Sequence, residues 1–420
     1  MMAFARRTTV PVACLVLAAI YAWLAARSFQ AARLASSLDI SSLQRAVALA
    51  PGNAAYQDLL CRFLLFDKQA PAAALPRCQR ATELNPYHST YWLDLALAYY
   101  NTGAAQAQQQ AIRQAVAIDP MTPDVAWTAA NFFLALGKLP DAMAQFAVAM
   151  RGDVNNVWPA LDLCWRASHD ANAIQAILPP DPSAYMNFIR LLIANRQGDA
   201  AQQVWIAMWR LNRDVDYRQA LFYVDALLER HDLARAEQAW EQLAEASPGL
   251  NAYRSRDNLL VNGGFEQPLL NSGFDWRYSP QSGSAIARDP DEHHSGAQSL
   301  SIAYDGAGGD SGLLQYVPVQ PDTQYTISGW TKSEQLEGAN GPVLSVWDAY
   351  DGRRVAQTQE TLGTTSWHRV EAAFRTGPQT TLLLLRMTRD PAATHIKGKL
   401  WIDDLTLRPQ TAASVSHSPN

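Results

Sequence analysis

The spacing of hydrophobic residues changes near residue 255 and divides the chain into two parts. Before this point, apolar residues follow a period of about 3.6 in stretches rich in Ala, Leu and Gln, which is typical of amphipathic helices. From Asn258 onwards, apolar and polar residues alternate, as in TQYTISGWTK, and turn sequences such as DGAGGDSG separate short segments. The pattern predicts an all-α region followed by an all-β sandwich.

Prolines that end helical stretches recur at a nearly constant interval in the first part. Pro51, Pro86 and Pro120 lie 35 and 34 residues apart. An interval of this size predicts stacked helix pairs. Gly103 and Gly137 stand where the turn inside a pair is expected, because glycine adopts the backbone conformation that such turns require.

These landmarks, together with regularly placed Trp, Leu, Tyr, Ala and Phe, resemble the tetratricopeptide repeat, a helix–turn–helix unit. The array is expected to run from about Leu43 to Pro248, with a degenerate middle between Leu161 and Ala184. Gln69 departs from the pattern because it replaces a turn glycine, and His231-Asp232 forms the last turn. The resemblance implies a surface that docks a partner protein.

An uncharged segment, residues 8–26, directly follows Arg6 and Arg7. As a helix rising about 1.5 Å per residue, it is long enough to cross most of a bilayer. A cleaved signal peptide is the competing interpretation, although Leu24-Ala25-Ala26 matches a cleavage site poorly. We predict an uncleaved single-pass anchor in the cytoplasmic membrane, with the bulk of the chain periplasmic or extracellular.

Composition narrows the functional classes. The net charge of -5 and the lack of a long basic run argue against nucleic-acid binding. The eight histidines are dispersed, and the sequence has no HExxH motif, zinc-type spacing, Gly-rich phosphate loop or Gly-x-Ser-x-Gly motif. We therefore expect no enzyme activity.

Two of the four cysteines, Cys61 and Cys78, fall in the two helices of one predicted pair. Alignment on the better repeats places both at the groove between these helices. They are either small buried hydrophobic residues or, in an oxidising compartment, a disulfide. We predict the disulfide.

Several motifs follow one another in the second part: NLLVNGGFE at its start, then HSGAQSLSI, VPVQPDTQYTISGWTK and SWHRVEAAF, and LWIDDLTL at its end. This order resembles the calcium-containing jelly-roll carbohydrate-binding modules of families four, nine and twenty-two, within the galactose-binding-like superfamily. The resemblance implies a jelly-roll sandwich that binds a glycan. The same superfamily also contains plain protein-contact domains, so sugar binding does not follow from the fold alone.

The resemblance also implies a structural calcium ion (Ca2+), held by acidic residues and loop carbonyl groups. The matching positions are Glu266, Asp403 and the loop His294–Gly296. Asp403 has the strand parity of Leu405 and Leu407, which are predicted core residues, and a buried carboxylate needs a partner. The alternative is a solvated turn, with Asp403 at a wet strand end.

Trp330 and Trp347 alternate with predicted core residues of their strands, so both rings are expected to face away from the core. We hypothesise that the two rings, joined by Arg386, line one cleft on the concave face for a β-linked polysaccharide. Sugars stack on aromatic rings, and a guanidinium group can span two hydroxyl groups. The alternative places both rings under loops or against the helical array.

These patterns predict a multidomain protein that is a membrane-anchored, non-enzymatic scaffold. Its repeats would dock a protein partner and its sandwich would bind a polysaccharide, by analogy in exopolysaccharide or cell-envelope assembly. A pure protein-interaction protein that binds no sugar is the main alternative, and a glycan-processing enzyme is the lesser one. The predicted segments are an anchor (1–30), helical repeats (31–248), a linker (249–257), a jelly-roll domain (258–408) and a disordered tail (409–420).

Overall fold

A computed structural model describes residues 2–37, 39–255 and 257–410, with side chains from residue 12 onwards. The chain is helical up to Asn251, and a two-sheet antiparallel sandwich follows. The predicted fold class is therefore confirmed. Residues 411–420 of the predicted tail lie outside the described residues.

The described part of the helical region contains fifteen α-helices and one 3₁₀ turn, Val154–Asn156. The helices are α1 Met2–Ala35, α2 Ile40–Leu49, α3 Ala54–Phe66, α4 Pro71–Leu84, α5 Ser89–Asn101, α6 Ala105–Ile118, α7 Pro123–Ala135, α8 Leu139–Gly152, α9 Val157–Ser168, α10 Ala171–Ile177, α11 Pro182–Ala194, α12 Gly198–Trp209, α13 Tyr217–Glu229, α14 Leu233–Ala246 and α15 Pro248–Asn251.

Helices α3 to α8 form consecutive pairs, in which α3 packs on α4, α5 on α6 and α7 on α8. Pro51, Pro86 and Pro120 lie just beyond the ends of α2, α4 and α6, as the sequence predicts. The helical region is thus consistent with a repeat array.

The turn inside each pair contains a residue with positive φ. This residue is Gly103 (φ 76°) between α5 and α6, and Gly137 (φ 69°) between α7 and α8. Gln69 (φ 49°) and His231 (φ 60°) take the same conformation in the turns where the sequence lacks glycine. A left-handed backbone is uncommon for residues with a side chain, so the geometry of the pair overrides local preference at these two positions.

Cys61 in α3 and Cys78 in α4 are fully buried and joined by a disulfide, with their Cα atoms 5.3 Å apart. The bond links the two helices of one pair. Cys164 is a buried free thiol in α9.

Helix α1 contains a segment, Val12–Ala35, that is long and apolar enough to cross a membrane. Its last turns also contact the protein: Ala31 is fully buried, and Nε of Arg27 donates a hydrogen bond to the carbonyl oxygen of Leu49 (2.6 Å). The segment therefore continues directly into the packed helices, because α1 packs on α2.

The sandwich consists of two five-stranded sheets. Sheet A has the order β1-β4-β9-β6-β7 and sheet B the order β2-β3-β10-β5-β8. The strands are β1 Arg277–Tyr278, β2 Ser284–Asp289, β3 Ser299–Asp305, β4 Leu313–Pro318, β5 Gln324–Gly338, β6 Val343–Asp348, β7 Arg354–Gln357, β8 Gly363–Arg375, β9 Leu382–Thr388 and β10 Ile396–Pro409.

The two sheets enclose one hydrophobic core. Residues predicted to be core from strand alternation, Tyr325, Ile327, Leu344 and Val346, are all buried in it. Trp276, fully buried beside Phe265, adds a large ring to the same core (centroids 5.4 Å apart).

The chain divides into two compact units between Leu211 and Asn212. Helices α13 and α14, which we call the last hairpin, therefore belong to the same unit as the sandwich. The Asp225 carboxylate of α13 accepts hydrogen bonds from the Ser272 hydroxyl (2.5 Å), the Gly273 amide (2.7 Å) and Nη2 of Arg277 (2.6 Å). This carboxylate fixes the chain that leads from the last hairpin into β1.

Close packing supports this junction. The rings of Trp240 in α14 and Phe274 meet edge to face, with centroids 5.7 Å apart. Gly273 has φ 63°, and a Cβ atom there would lie 2.5 Å from the Trp240 ring. The junction therefore has no room for a side chain at residue 273.

Replacing Cys61 and Cys78 together with alanine should lower the free energy of unfolding by about 3 kcal/mol, because the bond closes a loop of 17 residues in the unfolded chain. Thermal unfolding with and without a reductant checks this. The reductant should lower the melting temperature of the wild type and of the Cys164→Ala control, but not that of the double variant. A wild type that is insensitive to the reductant would contradict the prediction.

Asp275 should make the stability of the C-terminal unit depend on pH. Its side chain is fully buried, and Oδ2 accepts the Leu270 amide (2.7 Å) while Oδ1 has no partner among the described residues. Burial raises the pKa of Asp275 from 3.8 to about 7. Between these two values the unfolded chain releases the proton that the folded chain retains, so stability falls as the pH rises from about 4 to about 7.

Asp275→Asn should remove this part of the pH dependence. We expect the difference in unfolding free energy between variant and wild type to change by a few kcal/mol between pH 4 and pH 8, in favour of the variant. Urea unfolding at several pH values measures this difference. A difference that stays constant with pH would show that Asp275 ionises normally in the folded state.

Candidate functional site

Trp330 and Trp347 lie on opposite sides of the sandwich. Trp330 is in β5 of sheet B, whereas Trp347 is in β6 of sheet A. Both face away from the shared core, as predicted, but the outer faces of two packed sheets point in opposite directions. The hypothesis of one cleft across both rings is therefore wrong.

Trp347 and Arg386 lie on the outer surface of sheet A. The core residues of β4, β6 and β9 alternate with outward-facing ones, because Leu313, Leu344 and Leu385 are in the core cluster. We call six of the outward-facing residues the sheet A face: Leu314, Tyr316, Trp347, Arg354, Leu384 and Arg386.

The strand register orders these residues into rows. Tyr316 pairs with Leu384, Leu384 with Trp347, and Trp347 with Arg354, so this row crosses four strands. Tyr316 and Trp347 are two strand spacings apart, which is about 10 Å. The sheet A face thus presents two separated aromatic rings with aliphatic surface between them.

Polar contacts hold the Trp347 ring in place. Its Nε1 donates to the Ser345 hydroxyl (2.8 Å), and the Arg354 guanidinium lies over the ring, 5.6 Å from its centroid. Ser345 in turn donates to the carbonyl oxygen of Arg386 (3.0 Å). A ring held in this way is a pre-arranged stacking platform.

Arg386 is 42% exposed and pairs loosely with Asp310, with Nη2 and Oδ2 3.9 Å apart. Asp310 also accepts the amide of Arg389 (2.9 Å), and burial raises the pKa of its carboxyl group. The Arg386 guanidinium therefore keeps N–H groups for a ligand beside the aromatic row.

The Trp330 ring packs under a loop, which is the alternative given above for its role. It stacks on His294, with centroids 3.9 Å apart and planes 14° apart. Trp367 meets the same histidine edge to face, with centroids 5.9 Å apart. The loop that carries His294 occupies the surface that a sugar ring would need at Trp330.

The two predicted acidic ligands hold this loop. Glu266 Oε1 accepts the amides of Ala297 (2.9 Å) and Gln298 (3.4 Å), and Asp403 Oδ2 accepts those of His294 (2.8 Å) and Ser295 (3.1 Å). The structure therefore brings Glu266, Asp403 and the predicted loop together.

The parity argument for Asp403 is wrong. Strand β10 contains a bulge at Asp404, which has φ 49°, so the alternation shifts by one position. Ile402 before the bulge and Leu405 after it are both core residues, and Asp403 points away from the core. Asp403 is nevertheless fully buried, because the loop covers it.

The donors at this place are of the type that a calcium ion needs. A Cβ atom at Gly264 would lie 3.9 Å from Oδ1 of Asp403 and 3.8 Å from Oδ1 of Asp404, so carboxylate oxygens converge beside this glycine. Burial raises the pKa of Asp403, which a bound cation would counteract. Among the described residues, acidic, His and Cys side chains form no group of three that could hold an ion, so carbonyl oxygens would complete the shell.

Several residues of the sheet A surface were not predicted from the sequence, among them Tyr316 and Arg277. Tyr316 could have been found, because the alternation in LLQYVP places it opposite the core residues Leu313 and Val317. Arg277, whose guanidinium lies 5.2 Å from the centre of the Tyr316 ring, left no such signal because β1 has only two residues.

Comparisons with known proteins concern mainly the sandwich. Residues 257–393 match the sequence family described as Carbohydrate binding domain. No curated protein matches the chain.

The solved structures to which part of the chain is similar include the following three. A CBM4 domain is 15% identical over 36% of this chain and 99% of its own length, with a TM-score of 0.29. The CBM22-1 xylan-binding domain of Paenibacillus barcinonensis Xyn10C is 19% identical over 38% and 99%, with a TM-score of 0.27. TmCBM61, solved with β-1,4-galactotriose, is 23% identical over 37% and 100%, with a TM-score of 0.28.

The family match and the observed architecture coincide on one part of the chain. The matched residues begin just before Leu260, the first residue of the sandwich core in the chain, and reach the turn between β9 and β10. The sandwich that follows the last hairpin is a carbohydrate-binding module.

Proposed function

We propose that the protein is a membrane-anchored, non-enzymatic polysaccharide-binding protein whose glycan site is the sheet A face. The observation that carries the proposal is the row of Tyr316, Leu384 and Trp347, flanked by Arg354 and Arg386. Aromatic rings take the apolar faces of sugars, and guanidinium groups donate to their hydroxyl groups.

The chemistry of this face favours binding over hydrolysis. Glycoside hydrolysis needs two carboxyl groups on either side of the scissile bond. Two carboxylates lie beside the face and both are paired with cations of the surface: Asp310 with the side chain of Arg386 and the amide of Arg389, and Asp390 with the Arg354 guanidinium (3.6 Å). Stacking and hydrogen bonding are then the functions that the face supports.

Helix α1 and the disulfide support a location outside the cytoplasm. The Val12–Ala35 segment can serve as an anchor by length and composition. Stable disulfides such as Cys61–Cys78 are typical of oxidising compartments. The proposal places the chain after α1 in the periplasm or outside the cell.

The helical repeats are proposed to dock a protein partner. Several large hydrophobic side chains of the N-terminal unit are exposed, among them Tyr87 (85%), Met121 (76%) and Phe66 (61%). Stacked helix pairs form extended surfaces on which exposed apolar side chains can contact a partner. The combination of a docking surface and a glycan-binding module suits a scaffold of polysaccharide assembly.

Trp347→Ala should weaken polysaccharide binding by about 1–3 kcal/mol, because it removes a stacking platform. Trp330→Ala is a matched control: it removes the same ring from the opposite side of the module and should bind as the wild type does. Calorimetry with soluble β-linked polysaccharides measures both. Equal loss in the two variants, or none in Trp347→Ala, would exclude the sheet A face as the site.

The proposal includes a calcium ion held by Glu266 and Asp403. The ion would neutralise the convergent carboxylates and fix the loop that covers Trp330. Its position on the side of sheet B, away from the sheet A face, gives it a structural role rather than contact with the glycan.

A chelator should lower the melting temperature of the protein, and added calcium should restore it. At a calcium concentration one hundred times the dissociation constant, the stabilisation is about 2.7 kcal/mol. Asp403→Asn should abolish the response, whereas Asp291→Asn, which changes an exposed carboxylate of the neighbouring turn, should retain it. Identical melting with chelator and with calcium would rule out the ion.

A further inference from the structure

A cavity of about 160 Å³ lies between the last hairpin and the sheet A side of the module. The hairpin contributes Glu229 and His231, and the module contributes Arg277, Tyr316 and Tyr350. We call this space the hairpin cavity. Its walls are fixed with respect to each other, because Asp225 of the hairpin binds the backbone and side chains of the segment that leads into β1.

The hairpin covers part of the outer surface of sheet A. Leu382 is in β9 and faces outward by alternation, since Leu383 is in the core, yet it is only 1% exposed. It lines the hairpin cavity together with Ala349. An open sheet face thus becomes an enclosed space at this end of the strands.

The side chains around the cavity combine flat rings with hydrogen-bonding groups. The rings of His231 and Tyr350 lie 4.5 Å apart, and the Arg277 guanidinium lies over Tyr316. Glu229 and His231 are exposed at the rim. Rings for an apolar face, with donors and acceptors for hydroxyl groups, are the features that a sugar needs.

Two donors of the cavity are buried without a hydrogen-bond partner among the described residues. They are the hydroxyl group of Tyr350 and Nε of Arg277. Burial raises the pKa of Tyr350, so its hydroxyl group keeps its proton and remains a donor. Buried donors without acceptors are uncommon and costly, and an oxygen-rich ligand would satisfy both.

We propose that the hairpin cavity is a subsite for a single sugar ring that projects from a polysaccharide bound on the sheet A face. The inference rests on the proposed function and adds a ligand class: a β-linked polysaccharide that offers either a side branch or a chain end. The last hairpin of the helical region then forms part of the glycan site.

The size of the hairpin cavity and its continuity with the sheet A face support a ligand of one sugar ring. The cavity is smaller than the roughly 300–1,000 Å³ of pockets that enclose drug-sized ligands. Tyr316 belongs both to the cavity wall and to the row that leads through Leu384 to Trp347. A chain lying along this row can therefore place one attached ring beside Tyr350 and His231.

The test uses the full chain and matched pairs of soluble polysaccharides: xyloglucan with linear β-1,4-glucan, galactomannan with linear β-mannan, and arabinoxylan with linear xylan. Glu229→Gln, His231→Ala and Tyr350→Phe should each weaken the binding of the preferred branched glycan by about five- to tenfold. If the ring is a side branch, linear chains should bind these variants as they bind the wild type. Arg230→Ala, a neighbouring exposed residue that does not line the cavity, is the control.

The projecting sugar ring could come from a side branch or from a chain end, and these two origins give different results in the binding test. A side branch confines the losses to branched polysaccharides, whereas a chain end produces the same losses with short linear oligosaccharides. Tyr350→Phe should not lower the melting temperature, because it removes a hydroxyl group that has no partner in the protein. Unchanged binding of every glycan by all three variants would overturn the subsite while leaving the sheet A face intact.

A second measurement separates the subsite from the proposed function if the wild type binds no polysaccharide of the panel. Saturation-transfer NMR with the methyl β-glycosides of glucose, galactose, mannose and xylose probes the cavity alone. A signal that Tyr350→Phe weakens and Trp347→Ala retains would support the subsite although the polysaccharide face had failed. The absence of a signal with all four glycosides would overturn both.

Discussion

The architecture of the C-terminal unit depends on the carboxylate of Asp225. A half-buried charge is costly unless it is satisfied, and here three donors from residues 272–277 converge on its two oxygens. Because these donors stand at the entrance to the first strand, the carboxylate ties a helix of the helical region to the sandwich. Gly273, without room for a Cβ atom beside Trp240, keeps the two surfaces in contact. The last hairpin is therefore structurally part of the carbohydrate-binding module's unit, although its periodicity is that of the repeats before it.

Periodicity predicted the type and order of the elements, and in β5 and β6 also which side of the strand faces the core. It could not predict which strands share a sheet. Trp330 and Trp347 both oppose core residues of their own strands, and this local property says nothing about their distance from each other. Pairing of β5 with β10 and of β6 with β9 places them on separate sheets, and these pairings join segments far apart in the sequence. The residues that form the sheet A face can therefore be identified only from the pairing of strands that are distant in the sequence. The position of Tyr316 in the same row as Trp347 illustrates this.

The bulge at Asp404 explains in a similar way why the sequence did not predict the side of the strand on which Asp403 lies. The side on which a strand residue lies is predicted by counting alternate positions from a known core residue. The bulge at Asp404 adds one residue between the core residues Ile402 and Leu405, so that the alternation shifts by one position. The structure nevertheless brings Asp403 and the loop at His294 together, as the motif order of the module implies independently of the count. The start of the C-terminal unit is a further example: periodicity changes near residue 255, whereas the compact unit begins at Asn212, since tertiary contacts of Asp225 and Trp240 leave no trace in the hydrophobic pattern.

The two parts of the glycan site would contribute differently to recognition. Stacking on Trp347 and Tyr316 would tolerate many sugars, since most pyranose rings offer an apolar face, so the sheet A face would contribute affinity with little discrimination. The hairpin cavity has buried donors that stay unsatisfied when no oxygen reaches them, and such a site discriminates strongly against a ligand that lacks the group. A chain without the projecting ring leaves the hydroxyl group of Tyr350 and Nε of Arg277 unpaired, whereas a chain that carries it satisfies both. Because Asp225 fixes the hairpin, this selectivity would come from the last hairpin, and a module without the hairpin would retain the stacking face and lose the discrimination.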